Sequence, residues 1–273
     1  MERKSNINFH QTFRPEVQYI SSILSAADDI TEMTVKEISS ATGIPNGASS
    51  GKVMPHISYA EFMGLVSSEK KDGKISLMRT DLGQLVYNED PGLQENLTLL
   101  LCHAMMLRKN EGAEMWYSSF REIFPLYDTK INKELLIKEL NSRYDNKVSV
   151  KNLAPFITSY EDMFSSLELL SVSNDDIEFG TILYDKDYLY LYAYILYSYW
   201  DEVVPNQNEI SSDELETICF RQSFSWNLKE EYDVLEKLSD KGVIRLNRQL
   251  MPYTILRLVD KSDLLDKLYS ELI

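Results

Sequence analysis

"GIPNGASSGKVMPHISYAEFMGLVSSEKKDGKISLMRTDLGQLVY", Gly43 to Tyr87, is the stretch whose reading decides the fold. Just upstream, Thr34-Val-Lys-Glu37 has the form of a capping box, a hydroxyl for free amides with a glutamate three residues on. Val35, Ile38 and Ala41 then share one helical face, and Gly43 suits the left-handed position that closes a helix. Val53, Ile57, Ala60 and Met63 recur at helical spacing, so a second amphipathic helix is expected, ended by Gly64. Pro55 places the start of that helix either at the proline or near Ser50 with a bend. Leu65-Val66 opens a strand, Asp72-Gly73 is a two-residue hairpin turn, and Thr80 caps the helix that follows. Helix, turn, helix and hairpin in this order predict a winged helix-turn-helix.

Working outward, 273 residues fit two or three small domains. A hydrophobic share of 44% with 11% aromatics suffices to fill their cores. The expected fold is mainly α with small β-hairpin wings, with winged helix-turn-helix modules at both ends of a helical middle. Residues 1–90 hold the N-terminal segment and first module, 91–205 the helical middle, and 206–273 a C-terminal winged-helix-like module. In the middle, "LAPFITSY" (Leu153–Tyr160) echoes "VMPHISY" (Val53–Tyr59), and a degenerate repeat is expected near 147–180. In the last module Asn227-Leu-Lys-Glu230 caps a helix, Gly242 ends it, and Arg245, Arg248 and Arg257 lie along a hairpin. The tyrosine-rich "YLYLYAYILYSYW" (Tyr188–Trp200) is too short for a membrane span and reads as a packing helix, with Tyr188, Tyr192, Leu196 and Tyr199 on its buried face.

The formal charge of −15 argues against a general nucleic-acid coat. The charge is uneven, however: residues 1–80 carry nine Lys/Arg against nine Asp/Glu, and the remainder carries 19 against 34. A neutral, locally lysine-rich first module on an acidic body is compatible with weak, salt-dependent binding of duplex DNA. The candidate DNA-binding residues are Asn46, Ser49, Ser50, Lys52, His56 and Tyr59 on the turn and second helix, with Lys70, Lys71 and Lys74 at the hairpin tip. The same lysines would also serve simply to keep an edge hairpin soluble.

No catalytic constellation stands out. "GASSGK" (Gly47–Lys52) lacks the preceding strand and the following Ser/Thr of a phosphate loop, and His10, His56 and His103 share no metal spacing. Cys102 and Cys219 fit neither a zinc site nor a disulfide framework. The expectation is a cytoplasmic, non-enzymatic protein without cofactor or metal.

Two segments resemble a known family. "NFHQTF" and "GIPNGASSGKVMPHISYAEFMGL" are similar to the opening and the Gly-Ile-Pro…Pro-His-Ile block of domain-of-unknown-function family 4007, through His10, Thr12, Phe13, Gly51, Lys52, Pro55, His56 and Tyr59. The resemblance implies a winged-helix protein encoded beside phosphoadenosine-phosphosulfate-reductase-like genes in bacterial DNA-modification and phage-defence islands. It implies no catalytic residues. The resemblance implies a DNA-binding or DNA-guided accessory protein of a phosphorothioation-type modification or defence system; the winged-helix reading leaves two alternatives, an adaptor docking neighbouring enzymes without DNA and a transcriptional regulator. His10 and Thr12 are expected to form a buried hydrogen-bonded pair fixing the N-terminal segment.

Overall fold

The structure, a computed structural model, describes residues 5–47, 51–249 and 251–272. After α1 (Val17–Ala26), the first strand–helix–helix–hairpin unit begins at Met33, whose backbone pairs with Ile75 at 2.9 and 2.8 Å. Thr34 then caps α2 (Val35–Thr42) in a complete capping box with Glu37. Gly43 closes that helix in the left-handed region, at φ 73°. The next helix, α3 (Val53–Phe62), places Pro55 in its first turn, where no intrahelical donor is needed, so no bend is required. A two-stranded hairpin follows, β1 (Val66–Lys71) and β2 (Lys74–Arg79), and then α4 (Asp81–Glu89), capped by the Thr80 hydroxyl.

A buried helix, α5 (Asn96–Met106), leads through the short α6 (Glu114–Tyr117) and a π-helical turn at Ser118–Ile123 to a second unit. Here β3 (Lys130–Asn132) precedes α7 (Lys133–Arg143) and α8 (Val150–Glu161), and β4 (Leu170–Ser173) with β5 (Asp176–Phe179) forms the hairpin. The first strand pairs antiparallel with the last, giving the order β3-β5-β4.

Beyond α9 (Leu189–Val203) the pattern recurs. It runs through β6 (Glu209–Ser211), α10 (Ser212–Ile218), α11 (Leu228–Asp240), β7 (Ile244–Asn247) and β8 (Thr254–Arg257), in the order β6-β8-β7, and α12 (Lys261–Leu265) closes the described fold. In all three units the residue at the end of the first strand, or just after the isolated Met33–Ile75 bridge that stands in its place in the first unit, caps the next helix: Thr34, Asn132 and Ser211. The architecture is mainly α with small antiparallel sheets.

The first and third units share the exit from their second helix bond for bond. Gly64 donates to Glu61 and Leu65 to Ala60; Gly242 donates to Ser239 and Val243 to Leu238. Both glycines sit at positive φ, 74° and 75°. A side chain would be strained there. Val66 pairs with Arg79 as Ile244 pairs with Arg257, so the two hairpins leave their helices in the same register.

At the centre lie α5, buried from Leu97 to Met106, and α9, buried from Leu191 to Trp200. The tyrosine run is therefore a packing helix, and its hydroxyls reach out to neighbouring backbone. Tyr197 donates to Val243 O at 2.9 Å and Tyr199 to Ala104 O at 2.7 Å. Tyr188, expected on the buried face, is only partly covered, while Tyr194 and Tyr197 are buried instead. His103 bridges the central helix to its neighbours, Nδ1 to the Tyr160 hydroxyl at 2.8 Å and Nε2 to Ser223 O at 3.0 Å. Beside it, the buried Arg121 donates to Leu107 O and Ile218 O and stacks on Tyr199. Among the described residues no helix is long and apolar enough to cross a membrane.

Candidate nucleic-acid interface

The lysine hairpin is built by its turn. Asp72 and Gly73 both take positive φ, 51° and 76°. That is the geometry of a tight type I′ connection, which keeps twisted strands in register. The register sets Lys71 directly opposite Lys74 and Lys70 opposite the buried Ile75. Like charges placed opposite each other on a sheet repel, so this pairing costs the free protein stability. Among the described residues none of the three lysines makes an ion pair within 4.0 Å, and all three are exposed. Their field is tempered locally. A cleft of about 300 Å³ beside the tip is lined by Glu32, Glu69, Asp72 and Ser76 as well as Lys71 and Lys74. Glu37 is held below the ordinary carboxylate range, first by its hydrogen bonds from Thr34 and then by Lys74.

The second helix of this unit does not present the expected polar face. His56 and Tyr59 are fully buried, which corrects their placement at a DNA groove. Residues 9–16 lie across them. Glu16 N donates to His56 Nε2 at 3.2 Å, the Tyr59 hydroxyl donates to Phe13 O at 3.0 Å, and the Phe9 ring packs 4.6 Å from Phe62. His56 Nδ1 meets Lys52 O at 2.7 Å, and burial lowers the pKa of its imidazole. Lys52 is held by Glu16 at 2.5 Å, so its charge is met within the chain. Asn46 is exposed and bridges to Gly51, while Ser49 and Ser50 lie outside the described residues. Of the sequence candidates the structure thus gathers Lys70, Lys71 and Lys74 at one exposed tip and withdraws His56 and Tyr59. The residues that sequence reasoning missed are Phe9 and Glu16, and Phe13 was singled out only by the family resemblance.

His10 is buried, as expected, but its partner is the Gln11 carbonyl at 3.1 Å, and Thr12 is exposed. The expected His10–Thr12 pair is corrected accordingly: the backbone turns at Gln11, φ 57°, and carries Thr12 outward.

The other two units offer less to phosphate. In the second, α8 exposes Lys151, Ala154 and Glu161 beside a hairpin tip made of Asn174, Asp175 and Asp176. In the third, Arg257 is packed between Tyr197 and Trp200 and paired with Asp201 at 2.6 Å, and Arg248 pairs with Glu236 at 2.7 Å. Among the described residues no group of three or more His, Cys, Asp or Glu is arranged to hold a metal ion.

No family model matches the chain, and no curated protein matches it. Two solved structures do, a magnesium ion-bound SspB crystal structure at 16% identity and an SspB crystal structure at 17%. Each has a TM-score of 0.76, and the match covers 98% of this chain and 88% of the other. At that identity the likeness is one of fold, and it runs through all three units.

Proposed function

We propose that this chain is a non-catalytic accessory protein of a bacterial DNA-modification system of the phosphorothioation type, or of a phage-defence system, and that it touches duplex DNA through the β1–β2 hairpin. The observation that carries the reading is the hairpin tip. It holds three exposed lysines without intramolecular ion pairs among the described residues, and two of them face each other at a cost that a bound phosphate would relieve. Support also comes from the recurring strand–helix–helix–hairpin unit, which we read as a winged helix, and from the resemblance of His10–Phe13 and Gly51–Tyr59 to family 4007. The fold likeness to SspB across the chain is consistent with it.

Contact of this kind positions a protein on the backbone and carries no sequence information. With α3 buried, base reading by His56 or Tyr59 is not part of the proposal. Fluorescence anisotropy with plain and phosphorothioated duplexes at low salt tests it. The wild-type chain should bind both weakly, and the Lys70→Gln, Lys71→Gln, Lys74→Gln triple variant should lose most of that affinity at a thermal stability equal to or slightly above that of the wild type, since the Lys71–Lys74 repulsion is gone.

A second reading is favoured by the burial of α3: the chain docks neighbouring modification or defence enzymes and leaves DNA to them. It replaces the first if the triple variant binds DNA normally but no longer associates with those enzymes. A transcriptional regulator would need two groove-reading helices on a dimer, and α3 is not free for that role.

The third unit is expected to contribute little to DNA binding. Asp233, Glu236 and Asp240 lie along α11, and the Arg248 charge is already met by Glu236. Replacing Arg245 and Arg248 by alanine should leave DNA affinity within about threefold, roughly 0.7 kcal/mol, in the same titration. A larger loss would place a second phosphate contact there.

A further inference from the structure

The matching helix exits align α3 with α11 residue by residue: Gly64 answers to Gly242, and by the same offset Lys52, Pro55, His56 and Tyr59 answer to Glu230, Asp233, Val234 and Lys237. In the first unit that face is covered by the chain's own residues 9–16. In the third unit Glu230, Asp233, Val234 and Lys237 line an open cleft of about 340 Å³, together with Tyr184, Trp226 and Glu236.

Tyr184 lines the cleft opposite α11 and belongs to a strap, residues 181–185, held in place by its backbone. Ile182 N donates to Phe224 O at 3.0 Å, Trp226 Nε1 donates to Ile182 O at 2.7 Å, and Asp185 N donates to the Tyr192 hydroxyl at 3.0 Å. These bonds leave Tyr184 42% exposed in the cleft and its chain neighbour Leu183 85% exposed on the same fixed strap. Neighbouring exposed apolar side chains on a rigid strap beside a cleft offer a partner an apolar contact.

We propose that this cleft docks an extended segment of a partner protein, with one aromatic or aliphatic anchor and a lysine or arginine where the chain's own covering segment carries Glu16. The charge follows from the alignment. Glu16 meets Lys52 in the first unit, and the residue answering to Lys52 is Glu230. Asp233 and Glu236 add two carboxylates whose present partners, Lys229 and Arg248, are exposed and weakly held, so an incoming cation competes on even terms. The same carboxylates repel DNA. The surface is separate from the lysine hairpin, so either assignment can fail alone.

Two labelled peptides test the proposal on the full chain by anisotropy: FHQTFRPE, residues 9–16 as they stand, and the same peptide with Glu16→Arg. The Glu16→Arg peptide should bind at least tenfold more tightly. Leu183→Ser and Asp233→Lys should each weaken it at least fivefold without lowering the melting temperature, since both side chains are exposed, and Leu183→Ser, which changes no charge, should leave the DNA affinity unchanged. Equal affinity for the two peptides, no saturable binding, or indifference to both variants would overturn the assignment. So would dimerisation of the chain abolished by Leu183→Ser in place of peptide binding, which would put a second copy in the cleft.

Discussion

Lowering the pH from 7 to 4 should cost the protein about 3 kcal/mol of stability, because two buried histidines must be protonated. Burial lowers His10 and His103 from 6.5 to about 4, against weaker opposing hydrogen bonds to Gln11 O and Ser223 O. A group whose folded pKa is depressed binds fewer protons in the native state. Its contribution is therefore complete above pH 6.5 and is lost as the pH falls toward 4, roughly 3 kcal/mol for each histidine. His56 shifts in the same direction. Glu231 opposes them: burial raises its carboxyl to about 7 despite Arg221, so the native state takes up its proton first and gains as the pH drops from 7. Two histidines against one glutamate leave the net loss stated. The structural reason is plain at His10, whose Nε2 is buried without a partner and would become an unsatisfied charged donor. Urea denaturation at several pH values and NMR titration of the imidazoles check this. Histidines titrating near 6.5, or stability flat across the range, would contradict it.

Trp116→Ala should destabilise the chain by about 3–5 kcal/mol, the range for deleting a large buried aromatic side chain. Trp116 is fully buried where three parts of the molecule meet. Its ring lies 5.8 Å from Phe9 and 5.9 Å from His10 in the N-terminal segment, 5.9 Å from Tyr59 on α3, and 5.2 Å from Phe156 on α8. These aromatic side chains cannot all move into the space left behind, so a cavity should persist. The cover over α3 should loosen with it, and proteolysis between residues 5 and 16 should accelerate. The control is Leu126→Ala, at a side chain 68% exposed. It should change stability by no more than about 0.5 kcal/mol. Equal denaturation midpoints for the two variants would refute this role for Trp116.

What the sequence made legible was local. The Thr34–Glu37 and Asn227–Glu230 boxes, the Asp72-Gly73 turn and the terminating Gly43 and Gly242 each depend on residues within a few positions of one another. The burial of His56 was not local: it depends on Glu16, forty positions away. One signal did exist. α3 reads Val53-Met-Pro-His-Ile-Ser-Tyr-Ala-Glu-Phe62, with apolar or aromatic residues on every side, the mark of a helix covered all round rather than one with a free polar face. The Leu153–Tyr160 echo caught the second helix of the middle unit. The three-residue strand Lys130–Asn132 that completes that unit is too short to announce itself, and its partner lies some forty-five residues on. Glu231, inside the acidic run of α11, is buried against Arg221, whose backbone amide donates to it at 3.2 Å from a turn that spacing alone does not place.

The measurement that bears most directly on the account is the salt dependence of DNA affinity, wild type against the Lys70→Gln, Lys71→Gln, Lys74→Gln variant. Each lysine that neutralises a phosphate releases about one condensed counterion, and log affinity falls with log salt in proportion. If the hairpin tip is the contact, the triple variant should flatten the log–log slope by about three units, equally on every duplex sequence. A slope unchanged by the triple variant would show that these lysines do not meet phosphate and would contradict the hairpin as a DNA contact.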